Sequence, residues 1–171
     1  MIVGGVGGAN TKTGLVFEER VDLINLFKNI EGYALINTEN RSGARIYYHD
    51  HEIARCFKKY EFYRFLEEFE IDWKNISKQL LPDNGLFVIV RDTLFIIEIK
   101  IQQVAGSVDE KLQTCDFKRK QYSNLVKDQN WKVEYVYVLS DWFKANSYKD
   151  TLGYIDSMNC HYLFNKIPLA W

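Results

Sequence analysis

Residues 82–100, PDNGLFVIVRDTLFIIEIK, contain the pattern that decides the fold. Two short apolar runs, 86–90 and 94–100, are rich in β-branched residues and are separated by the polar turn at 91–93. Such runs, nearly continuous and joined by a tight polar turn, predict two buried neighbouring strands. The Pro82-Asp-Asn-Gly segment before them is typical of a turn, and it marks the start of the hairpin.

The remainder of the chain alternates between helical and strand patterns. Apolar residues at helical spacing predict helices over 13–30, 52–69, 109–129 and 148–158, with a helical turn within 73–80. Further strands are predicted at 33–37, 44–48, 131–139 and 162–164, the first two as a hairpin. This order predicts an α/β (α+β) fold, with a mixed central β-sheet flanked by helices. We expect a single domain over 1–171 with a flexible, Gly-rich arm at 1–12.

The composition is that of an ordinary globular protein. The 171 residues carry a formal net charge of −1, so any contact with a nucleic acid must come from local basic clusters. The three cysteines lack metal-site spacing, and an odd number without a secretory signal predicts reduced thiols in a cytoplasmic protein. No apolar run approaches the roughly 20 residues needed to cross a bilayer, so no membrane association is expected.

Two charged residues interrupt the second apolar run. Glu98 and Lys100 are two positions apart, so on a strand both project from the same face, and the hairpin brings Asp83 alongside them. Burying an unpaired charge costs several kcal/mol, so these charges either neutralise each other as a structural ion pair or line a wet pocket. Two neighbouring acids are a site for a hard cation such as Mg²⁺, which polarises a phosphate and activates water. Lys100 would orient that water or stabilise the negative charge that develops on the phosphate in the transition state. Together these groups have the chemistry needed for phosphodiester hydrolysis.

The Pro82-Asp83 turn followed by Glu98-Ile99-Lys100 resembles the PD-(D/E)xK nuclease superfamily. The element order is similar to that of its core. The stretches GGANTKTGLVFEE at 7–19 and IEIKIQQVAGSVDEKLQT at 97–114 resemble segments of small type II restriction endonucleases, and together with the turn they cover about a third of the chain. The resemblance implies Mg²⁺-dependent, sequence-specific hydrolysis of double-stranded DNA that leaves 5′-phosphate ends, with Mn²⁺ able to replace Mg²⁺.

The resemblance also implies roles for individual residues. Asp83 and Glu98 would bind the divalent metal together with the backbone carbonyl of Ile99, and Lys100 would position or activate the attacking water. Such enzymes often place a further glutamate on the first helix and a glutamine beyond the lysine. In this chain the motif places the glutamate at Glu18, whereas the helical periodicity favours Glu19. The glutamine is Gln102, which lies on the same strand face as Lys100 if the strand continues that far.

Several polar residues are candidates for binding DNA. In the arm, Asn10, Lys12 and Thr13 have side chains suited to base edges. Ser107 precedes a predicted helix, where it either caps the helix or presents free N–H groups to a phosphate. On that helix, Lys111 and Lys118 are seven residues apart on one face, with Gln121 near its edge. Gln113 is a further candidate for DNA binding. This basic face is either solvated or a track for the DNA backbone.

A palindromic site calls for two copies related by a twofold axis, so we expect a homodimer, together with a cognate DNA methyltransferase in the same system. A Holliday-junction resolvase or repair nuclease would use the same metal site, and a non-catalytic DNA-binding module would need only the ion pair. His49-Asp50-His51 has alternating histidines that suit a metal, but no third ligand is evident, which favours surface histidines. Cys56 and Cys115 fall on the apolar sides of predicted helices and are expected in the core.

Overall fold

A mixed β-sheet of seven strands organises the described part of the chain. The structure is a computed structural model that describes residues 16, 17, 19, 21–103 and 108–167. The strands are β1 (Tyr33–Asn37), β2 (Ala44–Tyr48), β3 (His51–Phe57), β4 (Asn84–Val88), β5 (Thr93–Lys100), β6 (Lys132–Leu139) and β7 (His161–Phe164). The α-helices are α1 (Leu23–Lys28), α2 (Glu61–Glu67), α3 (Val108–Leu112), α4 (Cys115–Leu125) and α5 (Lys149–Ser157). The predicted mixed α/β fold with a helix-flanked sheet is therefore confirmed.

The strands lie in the sheet in the order in which they follow along the chain. Strands β1 to β5 are antiparallel neighbours, whereas β5, β6 and β7 run parallel. Parallel neighbours need a crossover between them, and helices α3 and α4 supply the one between β5 and β6. Helix α5 lies in the crossover between β6 and β7.

Alternate residues of β5 belong to two separate core layers. Leu94 and Ile96 pack with residues of α2 and α4 on one face of the sheet, and Phe95 and Ile97 pack with residues of α1 on the other. Because successive side chains of a strand point to opposite faces, Glu98 continues the row on the α2 and α4 side. The apolar positions of β5 therefore fix the face on which its charged end projects.

The helix predicted over 52–69 is wrong in its first half. Residues His51–Phe57 form β3, which pairs with β2 and β4, and only Glu61–Glu67 is helical. Charged residues at 52 and 55 resemble the polar face of a helix, but Arg55 is buried and pairs with Glu52 and Glu68. Tertiary pairing on both sides of β3 thus overrides the local pattern. Cys56 is in the core as expected, but in a strand and not a helix.

Two other predicted helices are interrupted. Within 13–30 the chain is helical at 16, 17 and 19, and α1 begins afresh at Leu23 after the extended residue Asp22, whose carboxylate caps the helix by accepting from Asn25 N–H at 3.1 Å. The helix predicted over 109–129 breaks between α3 and α4. Within 73–80 only Trp73–Asn75 is helical, as a 3₁₀ turn.

None of the helices in the described part of the chain is long and apolar enough to cross a membrane.

Candidate active site

The pairing of β4 with β5 brings Asp83 opposite Glu98. Asn84, the first residue of β4, pairs with Ile97 in an antiparallel register. Asp83 therefore lies one position beyond the pair, level with Glu98, and the Ile99 main-chain N–H donates to Asp83 Oδ2 at 2.9 Å. Opposed residues of an antiparallel pair share one face, so the two acids stand on the side of the sheet that carries Lys100.

The ammonium of Lys100 lies among three oxygens. Its Nζ atom is 2.7 Å from Glu98 Oε2, 3.2 Å from the carbonyl oxygen of Ile99 and 3.7 Å from Asp83 Oδ2. These three groups are the metal ligands that the resemblance implies. Because one small cationic group reaches all of them, the three oxygens converge on a single region at the carboxyl end of β5.

Two further lysines occupy the other carboxylate oxygens. Lys59 contacts Asp83 Oδ1, and Lys118 Nζ is 3.4 Å from Glu98 Oε1. Lys118 was expected to bind DNA, whereas Lys59 was not among the predicted site residues. Lys59 lies two residues after the end of β3, which pairs with β4. Because residues 52–69 were predicted as one helix, neither β3 nor this pairing was expected, and no local signal in the sequence marks Lys59.

Burial of the two acids is balanced by this positive charge. Glu98 is 7% exposed, and an unpaired carboxylate there would be strongly destabilising. Burial alone would raise the pKa of Asp83, but the charge of Lys100, the hydrogen bond from Lys59 and the Ile99 N–H together hold that pKa below its ordinary value. Burial, reinforced by the negative charge of Glu98, raises the pKa of Tyr122, whose hydroxyl remains neutral beneath the site.

The oxygen donors fit a hard divalent cation. Carboxylates and backbone carbonyls are the ligands that Mg²⁺ takes, and this ion commonly keeps several of its waters beside one or two carboxylates. Asp83, Glu98 and the Ile99 carbonyl provide this donor set around Lys100 Nζ. In the described residues, no group of three or more His, Cys, Asp or Glu side chains is arranged to hold a metal. The fit therefore depends on two acids and one carbonyl.

A cavity of about 350 Å³ opens beside Asp83. The exposed side chain of Glu19 lines it, together with Asp22, Lys58 and Lys59. Glu18, the other candidate for the helix carboxylate, lies outside the described residues. The structure thus places Glu19 at the same cavity as Asp83.

Gln102 is buried, at 6% exposure, but it does not continue the strand. Strand β5 ends at Lys100, so the condition under which Gln102 would share the face of Lys100 is not met. Its backbone N–H donates to Ser140 Oγ at 3.4 Å, whereas neither polar atom of its side-chain amide has a hydrogen-bond partner within the described chain. An unpaired buried amide is costly, so this side chain is available to a ligand or to water.

Of the remaining candidates, only Lys111, Gln113 and Lys118 lie among the described residues. Asn10, Lys12, Thr13 and Ser107 lie outside the described residues. The single basic face predicted for Lys111 and Lys118 is wrong, because the break between α3 and α4 removes the helical relation between positions seven apart. Lys111 and Gln113 are exposed near that break, while Lys118 turns toward Glu98.

His49 and Asp50 form an exposed turn between β2 and β3, and the exposed His51 is the first residue of β3. His49 and Asp50 both have positive φ, and His51 Nδ1 is 2.8 Å from the backbone carbonyl of His49. The histidines are therefore held in a tight surface turn, which agrees with the surface interpretation.

Comparison of the chain with known protein families, curated proteins and solved structures finds no match. The chemistry of this site is therefore inferred from its own geometry.

Proposed function

We propose that this chain is a Mg²⁺-dependent endonuclease of the PD-(D/E)xK type that hydrolyses phosphodiester bonds of double-stranded DNA. The observation that carries the proposal is the position of Lys100 Nζ, within 4 Å of Asp83, Glu98 and the Ile99 carbonyl. The motif spacing alone would fit a surface ion pair. What favours a cation site is the convergence of all three donors on one partly enclosed point at the end of a central strand.

Asp83, Glu98 and the Ile99 carbonyl would hold the cation. When bound, Mg²⁺ supplies a polarised phosphate oxygen and a water of lowered pKa. Lys100 would then give up its carboxylate contacts and donate its N–H groups to the attacking water or to a phosphate oxygen, which stabilises negative charge in the transition state. Leu94 and Ile96, which precede Glu98 on the same face of β5, are buried in the apolar core, so this side of the site is shielded from water.

The more specific assignment is a type II restriction endonuclease that leaves 5′-phosphate ends. It is supported by the order of elements around the hairpin, in which antiparallel β3, β4 and β5 are followed by helices and the parallel strand β6. A palindromic target requires two active sites related by a twofold axis, so the proposal includes a homodimer and a companion methyltransferase. A junction-resolving or repair nuclease would use the same donor set on branched or damaged DNA.

One observation favours a second candidate, a non-catalytic DNA-binding module. Both oxygens of Asp83 and both oxygens of Glu98 already face lysine ammonium groups. A network that neutralises its buried acids in this way is able to stabilise the sheet without binding a metal.

The test is cleavage of supercoiled plasmid in Mg²⁺ by the wild type, Asp83→Ala and Lys100→Ala, with Lys74→Gln as control. Lys74 pairs with Asp72 in an exposed 3₁₀ turn away from the site. We expect discrete fragments from the wild type and the control, and none from the two site variants or when Ca²⁺ replaces Mg²⁺. A synthetic four-way junction is incubated in parallel, and cleavage restricted to that junction would indicate the resolvase alternative. DNA binding without cleavage would indicate the non-catalytic module, and cleavage by both site variants would eliminate this active site.

A further inference from the structure

Lys59 and Lys118 approach the same pair of acids from different elements. Lys59 lies in the turn between β3 and α2 and contacts the outer oxygen of Asp83, while Lys118 on α4 contacts the outer oxygen of Glu98. Lys100 lies between the acids and takes their inner oxygens. Lys59 and Lys118 therefore lie on either side of the inner oxygens that would hold a cation.

The backbone of Lys59 is held in an unfavourable conformation. Its φ is +47°, in the left-handed region that lysine seldom adopts. Its N–H donates to the carbonyl of Pro82 at 2.9 Å, which fixes the residue beside the Pro-Asp turn. Other turns of the described chain also contain residues with positive φ, His49 and Asp50 among them, so this conformation alone indicates only a tight turn. At Lys59 the turn places the side chain beside Asp83 while leaving it 53% exposed to solvent.

The charges around the two acids come close to cancelling. Lys59, Lys100 and Lys118 against Asp83 and Glu98 leave a formal charge of +1. Lys58, Asp22 and Glu19, which line the adjoining cavity, contribute −1 and make the wider site formally neutral. A divalent cation at the inner oxygens would compete with Lys100 and would leave the site positively charged, which favours a polyanion close by.

We propose that Lys59 and Lys118 form a phosphate clamp, defined here as the two lysines that bind the DNA phosphates on either side of the bond to be cut. Without a cation, both ammonium groups rest on the outer carboxylate oxygens. A divalent cation held by the inner oxygens would draw on the negative charge of the same two carboxylates, which would weaken both ion pairs and allow the lysines to pair with phosphate. This inference rests on the proposed nuclease function. It makes binding of metal and binding of DNA mutually reinforcing, because linkage requires each ligand to raise the affinity of the other by the same factor.

The test uses Lys59→Asn, Lys118→Gln and the control Lys74→Gln in the full chain. Binding of Mn²⁺ without DNA is measured by calorimetry, and binding of a fluorescein-labelled random-sequence duplex in Ca²⁺ is measured by anisotropy over a range of salt concentrations. Each clamp variant removes a charge that opposes the metal, so Mn²⁺ should bind roughly three- to tenfold more tightly. DNA should bind about five- to tenfold more weakly. The slope of log K against the logarithm of the salt concentration should become shallower by about 0.9 for each lost phosphate contact. The control should change neither affinity.

Thermal unfolding separates the clamp from a structural role. Asparagine tolerates the left-handed region better than lysine, which offsets the loss of the ion pair with Asp83, so Lys59→Asn should change Tm only slightly. A lowered Tm with unchanged DNA affinity and salt dependence would overturn the clamp and identify a structural ion pair. If Asp83→Asn abolishes Mn²⁺ binding but neither clamp variant alters Mn²⁺ or DNA affinity, only the clamp is wrong. If Asp83→Asn leaves Mn²⁺ binding intact, the metal site fails, and the clamp fails with it.

Discussion

The main-chain N–H of Ile99 donates to Asp83 Oδ2 at 2.9 Å and so fastens the Pro-Asp turn to the strand that carries Glu98 and Lys100. The bond joins residues that are 16 positions apart in the chain. The bond holds Asp83 level with Glu98. The donor is a main-chain group, so this alignment does not depend on the side chain of Ile99. The site therefore depends on the β4–β5 hairpin at the level of the backbone.

Replacing Asp83 should separate this hydrogen bond from the negative charge. Asp83→Ala removes the acceptor, leaves a partly buried N–H unpaired and should lower the free energy of unfolding by about 1–3 kcal/mol. Asp83→Asn keeps an oxygen that accepts from Ile99 and should cost less. Urea denaturation at neutral pH measures both values. Equal losses in the two variants would mean that the charge, and not the hydrogen bond, stabilises the turn.

Two glycines should respond to alanine with opposite signs. A Cβ atom on Gly43, whose φ is +95°, would lie 2.0 Å from the backbone oxygen of Cys56 in the neighbouring strand β3. Gly43→Ala should therefore destabilise the protein by about 3 kcal/mol or more, since both the backbone angle and the contact are unfavourable.

Gly153 is the matched case, because a Cβ there meets nothing within 4 Å and the residue lies inside α5. Gly153→Ala should stabilise the protein by about 0.5–1 kcal/mol through helix propensity. Chemical denaturation of both variants is the measurement. A stable Gly43→Ala protein would show that the turn before β2 differs from the one described.

Local sequence decides strands β4 and β5 of the fold but not strand β3. The runs at 86–90 and 94–100 are apolar and β-branched, so the local sequence decides that they are strands and which residues face each side of the sheet. The convergence of Asp83, Glu98 and Lys100 then follows from the two-residue alternation of side chains in β5 and from the antiparallel pairing of β4 with β5. Strand β3 could not be predicted this way, because Arg55 is polar in sequence yet buried by an ion pair with Glu68, 13 residues away. Lys59 was missed for the same reason: its partner is fixed by sheet order, which no local window contains.

The ion pair of Glu68 should make stability depend on pH in the acidic range. Burial alone would raise the pKa of Glu68, but hydrogen bonds from Ser42, Asn40 and Arg55 hold it below its ordinary value of 4.5. The folded-state pKa is thus lower than the unfolded-state value. The ionised carboxylate therefore stabilises the fold above pH 4.5, and this contribution is lost as pH falls through the lower folded-state pKa.

Glu68→Gln should remove that part of the pH dependence. Urea denaturation from about pH 6 down to about pH 3 should show a smaller decrease for Glu68→Gln than for the wild type. Glu67→Gln, on the exposed neighbouring residue, is the control and should follow the wild type. Parallel curves for the wild type and Glu68→Gln would contradict the assignment of the shift to this network.

If Asp83 and Glu98 hold a metal as proposed, the additional carboxylate beside it should be Glu19. Its exposed side chain lines the 350 Å³ cavity that Asp83 also lines, from which it would reach a water bound to that metal. Glu19→Gln keeps the size of the side chain and removes its charge, and it should lower the rate of plasmid cleavage about 10- to 100-fold, as loss of an outer-shell carboxylate commonly does. Glu18→Gln is the matched neighbour and should have the smaller effect. A larger loss for Glu18→Gln would return the role to the residue that the motif favours, and no loss in either variant would mean that Asp83 and Glu98 supply the only carboxylates the reaction needs.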